Sequence, residues 1–275
     1  MLPLKDNIST RRVPVITLLL IAINVAVFFG FQHAHWVGNG FKVSDRNTIE
    51  YAFVPYELTH PGKQCGNRGV AADGQPVADI EKPVCQGQRI AELGGEPIVA
   101  VTPPHQPSVW LTILTSMFMH GGLLHIAGNM LFLWIFGNNV EDSMARPVYV
   151  IFYLMGGLAA TLLQTAVGPN STVPNLGASG AIAAVLGGYA LLYPRARVIT
   201  LVFIIFFITV LELPALLVLG SWFVLQLISA GNSTAGGGGV AYFAHIGGFL
   251  FGLATIKLLA NRAQDDYNKP QIPVY

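Results

Sequence analysis

Ser179 stands in the stretch Gly177-Ala178-Ser179-Gly180, at the mouth of an apolar run that continues to Tyr193. A serine hydroxyl becomes a useful nucleophile only when a base takes its proton. The candidate base is His245, in the segment AHIGGFLFG at residues 244–252. A third segment, MHGGLLHIAGNMLFLW at residues 119–134, adds His120, His125 and Asn129. Together these residue types suit acyl transfer. Serine attacks, imidazole carries the proton, and N–H donors stabilise the oxyanion that forms. Asn129, His120 and the backbone around Gly177 are the candidate donors, and Gly177 and Gly180 leave room for a substrate backbone.

Each residue alone has a plainer reading. A serine at a helix start is commonly an N-cap, and a single histidine in an apolar helix commonly bonds a neighbouring helix. His125 reads as structural, tying the outer loop to the core. Three histidines could hold a metal, yet there is no His-Glu-x-x-His pattern and no acidic ligand beside them. A metal is therefore not expected. The case rests on the cluster and on the elements that would bring its members together.

Those elements are helices in lipid. The chain has 275 residues, 53% hydrophobic and 11% charged, with a mean hydropathy of +0.55. Soluble domains carry about 25% charged residues, so this chain cannot cover itself with a polar surface. A net charge of +1 gives no basis for a nucleic-acid partner. A spanning helix needs about 20 apolar residues. Runs of that kind occur near 13–31, 113–136, 148–167, 177–193, 214–230 and 240–259. The first carries no clear cleavage site and reads as a retained anchor. Lys5, Arg11, Arg12, Arg146, Arg195, Arg197, Lys257, Arg262 and Lys269 fall at every other end of these runs, all on one side, while the short opposite loops 168–176 and 231–239 are uncharged. This is the positive-inside pattern for six spans with both ends cytoplasmic. The apolar stretch after Arg197, VITLVFIIFFITVLEL, reads as interfacial or as part of a longer tilted span. Counting it as a seventh span would reverse the later helices.

The expected organisation is an all-α membrane protein. Residues 1–12 form a cytoplasmic N-terminus, 13–260 a six-helix membrane domain with a long outer loop at 32–109, and 261–275 a cytoplasmic tail. Cys65 and Cys85 both lie in that loop, where an oxidising compartment would favour a disulfide. Helix direction puts His120, His125, Ser179 and His245 at a similar outer level. Residues three, four and seven apart share a helix face. His245, Gly248 and Gly252 therefore form one face, and Ser179, Ala183 and Gly187 another. Gly248-x-x-x-Gly252 is the small-residue pattern that lets two backbones approach closely. If the faces pack, Ser179 and His245 meet. No carboxylate stands at the outer ends of the core helices, so the pair is a dyad.

HGGLLHIAGN, GASG and AHIGGFLFG, in this order and on these spans, resemble the rhomboid family of intramembrane serine proteases over roughly residues 110–260. The resemblance implies a six-helix core and cleavage of membrane-anchored proteins near the outer part of their transmembrane helix, without a cofactor. It implies Ser179 as nucleophile, His245 as base, His120 and Asn129 as oxyanion donors, and His125 as structural. Two departures stand out. Many bacterial members have an aromatic residue four after the serine, stacked on the histidine; here it is Ala183, so another ring such as Tyr242 or Phe243 must help. Many also have Trp-Arg in the outer loop, where Trp110-Leu111 stands here.

The expected partners are transmembrane protein substrates and lipid, in a bacterial inner membrane. Two rival readings are a rhomboid-like protein that binds membrane clients without cutting them, and a small transporter using the histidines as a proton path. The first predicts a missing Ser or His. The second predicts charged groups deeper along a pore, or an internal repeat. The run of four glycines at 236–239 would suit a movable cap or a plain linker.

Overall fold

The computed structural model describes residues 1–37, 40–43, 45–66, 69–71, 76–77, 84–87, 90–93, 96–100, 107–204, 207–232 and 240–261. Four helices are long and apolar enough to cross a membrane: α2 (Leu123–Asp142), α3 (Arg146–Val167), α5 (Ala215–Asn232) and α6 (Tyr242–Leu259). Two shorter apolar helices, α1 (Val15–Phe31) and α4 (Ser179–Leu192), complete the bundle. The protein is an integral membrane protein built mainly of helices. The glycines at 236–239 and the tail beyond Asn261 lie outside the described residues.

The expectation of an all-α chain needs correction. Strand β1 (Leu2–Asp6), strand β2 (Arg197–Ile204) and strand β3 (Phe207–Pro214) form an antiparallel sheet in the order β1-β2-β3. The stretch read as interfacial or as a tilted span is thus a hairpin, paired from Arg197 opposite Pro214 to Ile204 opposite Phe207. Its composition explains this. Val, Ile, Phe and Thr fit a pleated surface better than a helix, and Val198, Thr200 and Val202 alternate inward. Neither strand is long enough to span as a helix, so no seventh spanning helix exists here.

The sheet sits at the C-terminal end of α4, opposite Ser179, and one carboxylate fastens it there. Asp6 Oδ2 accepts hydrogen bonds from Tyr189 Oη on α4 at 2.7 Å and from Asn139 Nδ2 on α2 at 2.6 Å. Burial raises its pKa from 3.8 to about 6, against the opposing pull of the Tyr189 bond. The folded state therefore keeps a proton that the unfolded chain releases, and stability falls as pH rises from about 4 to about 6. A shift of this size corresponds to about 3 kcal/mol. Thermal unfolding in detergent between pH 4 and 7 is expected to show this slope in the wild type. Subtracting the profile of an Asp6→Asn variant isolates it, and identical slopes in the two proteins would refute the assignment.

Glu141 docks α1 at the same end. It is almost fully buried and accepts from the backbone N–H of Ile16 and Thr17 and from the Thr17 hydroxyl, at 2.8–3.1 Å. The first turn of a helix has N–H groups without intrahelical partners and a positive dipole end; a carboxylate from α2 supplies both needs. Arg12 bonds Asp142 Oδ1 at 3.2 Å and reaches the carbonyls of Glu141, Asp142 and Met144.

The centre of the bundle is α4, which packs on α3 and, with almost no side chain between, on α6. A Cβ on Gly248 would lie 2.0 Å from the Gly180 carbonyl oxygen, and one on Gly252 2.0 Å from that of Ala184. A Cβ on Gly187 would lie 2.1 Å from the Phe249 oxygen. The small faces read from the sequence are therefore in direct backbone contact.

At the opposite end from the sheet, the segment after α1 is fastened to the bundle. Cys65 and Cys85 face each other across a short antiparallel pair and are joined by a disulfide. Val54 and Tyr56 pack on it, and Glu57 accepts the Cys65 N–H at 2.8 Å. Tyr56 donates its N–H to Ser171, while Phe53 and Asn175 exchange both backbone bonds. The disulfide-linked segment thereby holds the stretch that leads into Ser179.

Candidate active site

Ser179 is the first residue of α4, with Ala178 before it, and its hydroxyl makes no capping bond. The N-cap reading therefore does not describe it. Ser179 Oγ instead lies 2.8 Å from Nε2 of His245, one turn into α6. Roughly 2.6–3.2 Å is the range expected of a nucleophile and its base. Two features hold α6 in register for this contact. The glycine contacts bring the helices together, and Gln164 of α3 accepts the N–H of Ala244 at 3.1 Å.

The second nitrogen of His245 is also bonded. Nδ1 lies 2.8 Å from Gln226 Oε1 of α5. The Trp222 ring, one turn earlier on α5, sits 5.7 Å from the imidazole at a tilt of 37°. The ring missing at Ala183 is thus supplied from α5, and among the described residues neither Tyr242 nor Phe243 stacks on His245. Sequence reasoning missed both residues. The available signal was Gln226 itself, an amide in the middle of an otherwise apolar run.

The segment 113–136, read as one run, is broken. A short helix, Val109–Ser116, ends before His120, and α2 begins at Leu123, after the two glycines. His120 lies in that break, fully buried and edge-on to His125 at 5.1 Å. Gln32, at the end of α1 and fully buried, clamps it through the backbone: Oε1 accepts the His120 N–H at 2.8 Å, and Nε2 donates to its carbonyl at 3.0 Å. Gln32 is the other residue the sequence did not reveal. Among the described residues, neither His120 ring nitrogen nor Asn129 Nδ2 has a hydrogen-bond partner of good geometry. A buried polar group without a partner is costly.

His125 sits on α2 beside the turn, with Nδ1 3.4 Å from the Gly121 nitrogen. Gly177 has φ +127°, and a Cβ there would come within 2.8 Å of His125 Nε2. Its N–H already donates to the Ser116 carbonyl at 2.9 Å. Gly177 therefore contributes its backbone shape to the site, and its N–H is not available to an oxyanion.

These residues surround a cleft of about 760 Å³ lined by Gly121, Asn129, Ile182, Trp222, Ser179 and His245. His120 is not on its wall. A smaller cavity of about 40 Å³ lies on the other side of Ser179, among Ser116, Gly157, Gly177 and Ala244. Among the described residues no group of three His, Cys, Asp or Glu is placed to hold a metal ion.

Residues 107–262 match the family description Rhomboid domain, which is more than half of the chain. This protein belongs to the rhomboid family. Its similarity to the mitochondrial Rhomboid protein 1 of Saccharomyces cerevisiae is 30% identity over 151 residues, 52% of this chain and 40% of that one. Rhomboid-like protein 11, chloroplastic, of Arabidopsis thaliana is 28% identical over 174 residues, 57% of this chain and 55% of that one. Rhomboid protease GluP of Bacillus subtilis is 37% identical over 84 residues, 30% of this chain and 16% of that one. The matched parts thus span about half or less of these relatives' own length.

Proposed function

We propose that this rhomboid is an intramembrane serine endopeptidase that cuts transmembrane segments of membrane-anchored proteins near the outer membrane face. The observation that carries the reading is the 2.8 Å bond between Ser179 Oγ and His245 Nε2, made by side chains from two apolar helices. Polar pairs are costly in such surroundings and are functional hypotheses by default.

The chemistry follows from the positions. Ser179 gives its proton to His245 Nε2 as Oγ attacks the peptide carbonyl carbon. The carbonyl oxygen becomes an oxyanion. Asn129 Nδ2, unpaired on the cleft wall, is the side-chain donor closest to hand, with the positive end of α4 behind it. His120 joins when substrate draws its ring forward. His245 then passes the proton to the leaving amine, and a water deprotonated by His245 releases the acyl group. A substrate helix hides its peptide bonds, so segments that unwind easily near the outer interface are favoured.

In this reading all six helices span. The basic residues beside Asp142 and at the base of the hairpin face the cytoplasm, and the disulfide faces the oxidising side.

The test uses the purified protein in proteoliposomes with a fluorogenic transmembrane substrate and a fluorophosphonate that labels activated serines. Wild type is expected to cleave and to be labelled at Ser179. Ser179→Ala is expected to do neither at an unchanged melting temperature. Cleavage undiminished in Ser179→Ala would refute the assignment.

A further inference from the structure

The dyad leaves open what holds the imidazole, because none of the charged side chains near it could do so. Around His245 stand α3, α4 and α5, and α2 faces it across the cleft. Of the titratable groups on those helices, His125 shares the cleft with it. Glu141, Asp142 and Arg146 sit at the far ends of α2 and α3, Tyr189 lies at the far end of α4, and Lys257 is in the last turn of α6. Tyr242 stands one turn before it on its own helix. Among the described residues no carboxylate approaches Nδ1.

An amide does. Gln226 is 9% exposed, and the two ends of its side chain have different partners. Nε2 donates to the Trp222 carbonyl one turn back, at 3.2 Å. With that end committed, Oε1 faces His245 Nδ1 at 2.8 Å. An amide oxygen can only accept. Nδ1 must then carry the proton, and Nε2, facing Ser179, must present its lone pair. That is the tautomer a general base needs. Gln226 does not line the cleft, so it acts on His245 and not on substrate.

We propose that Gln226 is the positioning residue of this site, fixing the tautomer and rotation of His245 with a neutral amide where other serine hydrolases use a carboxylate. Trp222 limits ring motion on the open side. A neutral partner suits this setting: burying a carboxylate in an apolar helix carries a large desolvation cost, whereas an anchored amide supplies the same acceptor without charge. The comparison also sets the scale. In a Ser-His-Asp site, Asp→Asn retains geometry yet costs about 10⁴-fold in kcat because the wrong tautomer is favoured. Loss of an outer partner of a liganding histidine costs about 10–100-fold.

The inference rests on the protease reading, and the experiment separates the two. Wild type, Gln226→Met and Gln226→Glu are compared in proteoliposomes. Gln226→Met keeps length and loses the acceptor; kcat is expected to fall by about 10–100-fold, with KM within twofold and the melting temperature unchanged. Gln226→Glu, held neutral by burial, can donate its O–H to the Trp222 carbonyl and keep a carbonyl acceptor for Nδ1, and is expected to recover most of kcat at a pH where it stays protonated. ¹⁵N-histidine spectra give a readout independent of turnover: Nδ1 of His245 protonated and Nε2 bare in wild type, and a mixture of tautomers in Gln226→Met. Active wild type with Gln226→Met equally fast, or slowed only through KM, overturns the role of Gln226 and leaves the protease reading standing. An unchanged tautomer in Gln226→Met overturns it as well. A wild type that neither cleaves nor takes the fluorophosphonate fails the protease reading itself.

Discussion

The double variant Ser179→Ala/His245→Ala is expected to be no slower than either single variant. In the proposed mechanism each replacement removes one half of a proton-transfer unit, and the two atoms stand 2.8 Å apart. Once the base is gone the hydroxyl is an ordinary alcohol, and once the hydroxyl is gone the base has no proton to take. Losses on the order of 10⁴–10⁶-fold in kcat are expected for each single variant, and they do not add. Turnover by quantified, folded enzyme in proteoliposomes checks this. Losses that multiply would mean that Ser179 and His245 contribute separately, and the dyad would have to be abandoned.

Gly248→Ala is expected to damage folding and catalysis together. The added Cβ would sit 2.0 Å from the carbonyl oxygen of Gly180, the residue after Ser179. Backbone cannot move aside as a flexible side chain can, so α4 and α6 must separate. Overpacking costs about 1–3 kcal/mol and occasionally more; this case belongs at the upper end because the obstacle is backbone. The same displacement stretches the Ser179–His245 bond, so the folded fraction that survives should also turn over slowly. Gly220→Ala is the control. It lies within α5 with nothing within 4 Å of the added Cβ, and alanine there gains about 1 kcal/mol of helix preference. Thermal unfolding in detergent, read beside activity per folded molecule, separates the two effects. Equal stability of both variants would contradict the close backbone packing.

These packing contacts show why some of the site was readable from the chain. Gly248, Gly252 and Gly187 declare a close approach by their spacing alone, because a helix presents residues three, four and seven apart on one side. Once those faces are paired, Ser179 and His245 must meet. Gln226 and Gln32 carry no such signature. Each is one amide whose partner lies on another segment, and nothing in periodicity says which nitrogen or carbonyl it will find. His120 was readable as polar at the right level, but the turn that buries it depends on Gly121-Gly122 and on the distant Gln32. The hairpin was obscured for a different reason. In a chain this apolar, hydrophobicity no longer distinguishes a strand from a span, and β-branching was the remaining clue.

The small sheet has a consequence for how the protein is made. Asn7 bonds Arg197, 190 residues further along the chain, and Asp6 bonds Tyr189 across 183. Strand β1 is therefore translated long before its partner β2 exists. At about 5–20 residues per second that delay lasts on the order of 10–40 seconds, during which four of the six helices are produced. Until β2 emerges, β1 has an open edge, and of the two side chains that hold Asp6, Asn139 is made some 50 residues before Tyr189. Strand β1 thus waits for most of the bundle before its sheet can close.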